Sequence, residues 1–209
     1  MKFIFFLFLS LANFASQAQT PINKKALDFN NRAIKVMQGQ GTLINCVDKS
    51  NQLLDSAITL APTYIIAHQN KLNNLITIKN YDKALEVSDA ILKLNPSIEI
   101  GTAKAALLHK KGKVSESKKS LSESIAQAYE KYKSKPSSNL LCNIAVAYFL
   151  NGEKQKALNL LATEKTKFSK KERLQIDGIG QQLPSFTFDV ILNTHKAKFK
   201  PSFVRKLAI

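Results

Sequence analysis

The chain has 209 residues, with 31 Lys and Arg against 15 Asp and Glu, which gives a formal charge of +16 and a pI near 9.8. Apolar residues make up 44% of it and it contains only 7 Gly and 6 Pro, a composition that excludes a disordered or collagen-like chain and permits an ordinary folded core. Two Cys and three His exclude a disulfide framework and a four-cysteine zinc site, so we predict no metal and no cofactor.

Residues 1–18 have the three parts of a secretory signal peptide. Lys2 supplies a positive charge, the run from Phe3 to Leu9 is wholly apolar, and Ser16-Gln17-Ala18 places small residues at both ends of a cleavage triplet. A membrane anchor is the alternative, but a span needs about 20 apolar residues and polar side chains interrupt this stretch. We therefore expect cleavage after Ala18, an exported chain that is periplasmic or secreted, and no integral membrane segment in the mature chain.

Pairs of helices are predicted along residues 19–168. The first pair covers Ala26 to Met37 and Leu43 to Leu60, separated by the glycine-containing segment 38–42. The second pair covers Ile65 to Ile78 and Tyr81 to Leu94, and its short turn at Lys79-Asn80 predicts an antiparallel hairpin.

Two prolines in equivalent positions indicate a repeat. Pro62 and Pro96 lie 34 residues apart, and each follows the end of a predicted helix. A third pair runs from about Ile98 to Tyr132 around Gly112. After a break at 134–138, a fourth unit contains Ala145, Tyr148, Gly152 and Ala157, and its small residues allow close approach of adjacent helices.

These units resemble the tetratricopeptide repeat (TPR) family, whose unit is a 34-residue helical hairpin. Ala145, Tyr148, Gly152 and Ala157 match the family's small, aromatic, glycine and alanine positions, and Tyr81, Ala84 and Pro96 match in the second unit. The resemblance implies an all-α fold, an α-solenoid of about four antiparallel hairpins in which those tyrosines and alanines are buried. The alternative is a helical bundle in which hairpins happen to recur.

Residues 169–209 depart from the repeat pattern and form a predicted capping segment with a basic tail. Ser169 is a candidate cap for a helix over Lys170 to Ile176, which Gly178 and Gly180 would end. Ser185 to Asn193 alternates like a strand but can also start a helix, and we favour a short helix that caps the solenoid, because a lone strand would have no sheet to join.

No catalytic constellation is recognisable, so we predict a protein that is not an enzyme. None of the three histidines is spaced with Asp, Glu or Cys as a metal ligand would be, and His68 is expected to be structural. Cys46 and Cys142 belong to the first and fourth hairpins, which would not touch in a solenoid, so two separate buried thiols are expected.

The resemblance implies a protein–protein interaction or scaffold module of the bacterial cell envelope, which binds a peptide or protein in a concave groove. Positions carried over from the family predict a groove lined by Ile66, Gln69, Asn73, Ile76, Leu107, Lys110, Val146 and Phe149.

Charge supports a second hypothesis, a basic binder of envelope polyanions such as anionic lipid or polysaccharide. Residues 104–135 and 164–209 each carry a net charge of +6. Nucleic acid is not an expected partner, because export would remove the chain from it. Lysines that are merely solvated on helix exteriors are the explanation of the charge that we favour over a dedicated polyanion site.

Overall fold

The computed structural model describes residues 23–39 and 41–195, and all regular structure within them is helical. The predicted signal peptide at 1–18 and the end of the basic tail, 196–209, lie outside the described residues. The ten α helices described are α1 Lys24–Gln38, α2 Leu43–Leu60, α3 Ile65–Thr77, α4 Tyr81–Leu94, α5 Ile98–Lys110, α6 Val114–Ser134, α7 Ser138–Leu150, α8 Lys154–Glu164, α9 Lys170–Gln182 and α10 Phe188–His195.

Side-chain caps explain where many of these helices begin. The side chains of Thr42, Ser97 and Ser137 each accept a hydrogen bond from a backbone N–H in the first turn of the following helix. At the start of α9 the bond is reciprocal, because Ser169 accepts from the Glu172 N–H while the Glu172 carboxylate accepts from the Ser169 N–H. These polar side chains predict helix starts from sequence alone, and the predicted cap at Ser169 is confirmed.

Three helices share one length and one kind of ending. Helices α3, α5 and α7 each contain 13 residues. Each is followed, two residues after its end, by a residue with positive φ: Lys79 at 60°, Gly112 at 75° and Gly152 at 87°. The next N–H then bonds back to a carbonyl in the last turn, with N–O distances of 2.9 Å (Asn80 to Leu75), 3.0 Å (Lys113 to Leu108) and 2.9 Å (Glu153 to Tyr148). The chain therefore leaves all three helices through the same left-handed turn.

Helices that follow each other in the chain pack against each other, from α1 through to α8. Helix α9 packs on α7 and α8, and α10 returns to pack on α5 and α3. The all-α prediction is confirmed as an all-helical fold held by helix–helix packing. Of the residues predicted to be buried, Ala84, Ala145 and Ala157 are fully buried, whereas Tyr81 and Tyr148 are half-buried.

Small side chains allow the closest helix contacts. A methyl group added at Gly101 on α5 would lie 2.0 Å from the Ser124 Oγ on α6. Along the same pair of helices, the Ser117 hydroxyl donates a 2.7 Å hydrogen bond to the Ala105 carbonyl. Serine thus fills positions between the two backbones while its hydroxyl stays hydrogen-bonded.

The C-terminal segment corrects two predictions. Helix α9 does not end before Gly178 and Gly180 but continues to Gln182, because its buried face, with Ile176 and Ile179, holds it against α7 and α8. Glycine lowers helix propensity but does not force a helix to end. Residues 188–195 are helical as favoured, yet α10 packs mainly on α5 and α3, whereas α9 packs on α7 and α8.

Candidate partner-binding face

The face of α3 and α5 that α10 covers is the candidate functional site, and we call it the covered face. Helix α10 is distant in sequence from both helices and reaches them only after α9. At its N-terminus Thr187 caps it, since the Thr187 Oγ1 accepts a 3.2 Å hydrogen bond from the Val190 N–H. A separate helical element thus lies across the first helices of two neighbouring pairs.

Three side chains of α10 attach it to this face. Leu192 is only 3% exposed and belongs to one apolar cluster with residues of α3, α4 and α5. Phe188 and Ile191 are half-buried and pack against both this cluster and the neighbouring cluster that contains α7. Their spacing of three and four residues places all three on one side of the helix.

A polar contact adds to the apolar ones at the N-terminal end of α10. The Lys110 Nζ lies 2.5 Å from the Asp189 carboxylate, and hydrogen bonding to Asp189 raises the pKa of Lys110. Next to it, the His109 ring lies against the Phe188 ring, with centroids 4.4 Å apart and planes inclined by 32°. The end of α5 therefore presents a cation and an aromatic face to α10.

An open cleft of about 330 Å³ adjoins these contacts. It lies where the ends of α5 and α7 meet the connection between α9 and α10. Its lining combines aromatic, aliphatic and charged side chains: His109, Lys110, Phe149, Leu150, Phe186, Thr187, Phe188 and Asp189. Such a lining can accept an apolar side chain together with an acidic group.

The predicted groove residues divide into three groups. Lys110 and Phe149 both line the cleft. Gln69 and Asn73 are half-buried and Ile66 is 47% exposed. Ile76, Leu107 and Val146 are buried, at 1%, 0% and 6% exposure, so they are not open groove positions in this structure. Leu107 and Ile76 share the apolar cluster of Leu192, because α10 covers the face to which they belong.

The residues that sequence reasoning missed are those of α10 itself. Phe188, Asp189, Ile191 and Leu192 were expected to cap the array, not to lie on the helices of the predicted groove. The helical spacing of Phe188, Ile191 and Leu192 is the signal that could have marked them as one apolar side. Nothing local in the sequence indicates which surface that side meets.

Ion pairs cover part of the positive charge in the basic zones. Lys104 pairs with Asp89 at 2.7 Å and Lys165 with Asp177 at 2.7 Å, and Lys111 pairs with Asp82. Lys118 and Lys119 on α6 are exposed, and within the described part of the chain no ion pair joins them to an acidic group. Exposed cations without an ion pair therefore lie on α6, and Lys170, Lys171 and Arg173 on α9 are also exposed and outside the ion pairs of the described residues.

His68 and both cysteines lie in the interior of the fold. The His68 Nε2 lies 2.9 Å from the Pro62 carbonyl oxygen and the residue is buried, as predicted. Cys46 and Cys142 are buried and not bonded to each other, as predicted, and burial raises the pKa of Cys142 to about 12. Within 23–39 and 41–195 no three His, Cys, Asp or Glu side chains come together as a metal site.

Among the helices that the structure describes, none combines the length and the apolarity needed to cross a bilayer. The sequence matches no known family model, and no curated protein matches it.

Proposed function

We propose that this chain is a non-enzymatic scaffold of the bacterial cell envelope, a TPR-like array of helical hairpins that binds a peptide or protein. Export is part of the proposal and rests on residues 1–18. The equal lengths of α3, α5 and α7 and their equivalent left-handed turns support an array of repeated units. The second helices are less regular, with 14, 21 and 11 residues in α4, α6 and α8.

One observation carries the proposal: the covered face holds a helix from elsewhere in the chain. It does so with apolar contacts to Phe188, Ile191 and Leu192 and one charged contact through Lys110. Helix-in-groove recognition of partners uses the same combination of anchors. Stacked first helices suit this role because they present one continuous surface to a ligand.

Site-specific crosslinking tests the proposal. A photoreactive residue replaces Phe149, which lines the cleft, and in a control chain replaces Gln127, an exposed residue on α6. We expect irradiation of intact cells to join the Phe149 chain, and not the Gln127 chain, to a defined protein that mass spectrometry identifies. Equal products from both positions, or none from Phe149, would exclude the cleft as a partner site.

The exposed lysines favour a second candidate function, the binding of anionic lipid or polysaccharide. Lys118 and Lys119 are consecutive, exposed residues of α6. Replacement of both by Gln would then abolish association with anionic vesicles, and association would weaken steeply as salt rises. An apolar groove responds little to either change, so the two functions are separable in one set of measurements.

A further inference from the structure

Helix α10 and helix α9 pack on different parts of the fold. Helix α9 already packs on α7 and α8, and its Ile176 and Ile179 are buried. Helix α10 returns to α5 and α3. Capping therefore does not explain where α10 lies.

The attachment of α10 is small. Of its eight residues only Leu192 is buried, and Phe188, Ile191 and His195 are half-buried. Asp189, Val190, Asn193 and Thr194 are exposed. A helix of two turns is not stable by itself in water, so α10 exists as a helix only while it is docked.

The contacts of α10 specify what chemistry the covered face accepts. An aromatic residue fits beside His109, and aliphatic residues three and four positions later enter the apolar cluster. An acidic residue directly after the aromatic one reaches Lys110. The open cleft lies next to this aromatic and acidic pair, so an incoming segment can make contact there before α10 has left.

We propose that α10 is a replaceable occupant of the covered face, and that the partner supplies an amphipathic helix of the same chemistry that displaces it. The partner segment carries an aromatic residue followed at once by an acidic residue, with aliphatic residues three and four positions after the aromatic one. This inference rests on the proposed function and adds the partner's chemistry and the competition with α10.

Competition by a peptide tests this directly. The probe is a labelled synthetic peptide of residues 186–195, and the proteins are the full chain, its Leu192→Asp variant and the control Val190→Asp. Val190 is 38% exposed on the same helix, so its replacement adds the same charge without removing the anchor. We expect Leu192→Asp to bind the peptide at least tenfold more tightly than the full chain and Val190→Asp do. A peptide with Asp189→Lys should bind it more weakly.

Three outcomes would overturn the inference. The first is equal affinity of Leu192→Asp and Val190→Asp for the peptide. The second is loss of helix content throughout the Leu192→Asp chain, which would make α10 part of the core. The third is a dimer of the full chain that Leu192→Asp abolishes, which would make a second copy the occupant.

Hydrogen exchange of the full chain gives a second test that needs no variant. Amides of α10 should exchange through openings that leave α3 and α5 protected, and equal protection of all three helices would contradict replaceability. The crosslinking at Phe149 uses no peptide. If a partner is captured at Phe149 but the peptide fails to bind, only the competition with α10 is refuted. If the peptide binds but no partner is captured at Phe149, the scaffold function is refuted.

Discussion

The Lys110 Nζ on α5 lies 2.5 Å from the Asp189 carboxylate on α10, which joins the end of a first helix to the last helix that the structure describes. The side chains are partly open to solvent, with 33% of Lys110 and 67% of Asp189 exposed. Solvent weakens such a pair, so its main effect is on orientation and on selection of an acidic residue at this position.

Reversal of this charge should loosen α10 without unfolding the array. Asp189→Lys places two cations together, and we expect α10 to open severalfold more often in hydrogen exchange. The double variant Lys110→Glu with Asp189→Lys restores an attractive pair and should restore protection. Continued loosening in the double variant would show that the pair itself does not orient α10.

Two glycines within helices should respond to alanine in opposite directions. Gly101→Ala pushes a methyl group into Ser124 and should lower the free energy of unfolding by about 1–3 kcal/mol. Gly178→Ala meets open space within α9 and should raise it by about 0.5–1 kcal/mol. Urea denaturation measures both, and a stabilised Gly101→Ala protein would mean that α5 and α6 can move apart freely.

Lys79 is the non-glycine member of the three equivalent turns. Its φ of 60° lies in the left-handed region, which costs side-chain-bearing residues free energy that glycine avoids. Lys79→Gly should therefore raise the free energy of unfolding by up to about 1 kcal/mol. As the matched control, Gly152→Ala should lower it by about 1 kcal/mol, since φ there is 87°. Destabilisation by Lys79→Gly in thermal or urea melts would contradict the equivalence of the turns.

Docking of α10 should weaken in acid. Burial lowers the pKa of His195 to about 4 from its ordinary 6.5, so the docked helix favours neutral imidazole. As the pH falls below 6.5 an undocked His195 takes up a proton first, and docking should become progressively less favourable down to about pH 4.

Variants assign this pH dependence to one group. Helix-specific hydrogen exchange between pH 7 and 4 measures it, and His195→Gln should remove it. His109, Lys110 and Asp189 are the other titratable groups in the contacts of α10 described above. A pH dependence that persists in His195→Gln would contradict its assignment to His195.

Thiol labelling should depend on unfolding. Cys142 is 4% exposed and its pKa is raised to about 12, so little thiolate forms at pH 8 and reagents cannot reach it. We expect slow alkylation of the folded protein and rapid reaction of both thiols in denaturant without reductant. Fewer than two reactive thiols under those conditions would indicate a disulfide and contradict the observed separation of Cys46 and Cys142.

Local patterns predict much of the helical framework. The bounds of α2 and α4 agree with those expected from their apolar spacing, and Ser169 caps α9 as predicted. Gly112 and Gly152 stand where the chain turns left-handed. These features depend on residues only a few positions apart, and so the sequence by itself determines them.

Packing between distant segments decides which predicted groove residues are open, where α9 ends and where α10 lies. Lys110 and Phe149 were predicted for the groove and do meet in the cleft, but Leu107 is buried under a face that α10 covers. Gly178 would end α9 by local propensity, yet burial of Ile176 and Ile179 holds the helix beyond it. Amphipathic spacing shows that α10 has an apolar side, and only the tertiary structure determines that this side meets α3 and α5. The reason is that the free energy of apolar burial depends on area and not on sequence distance.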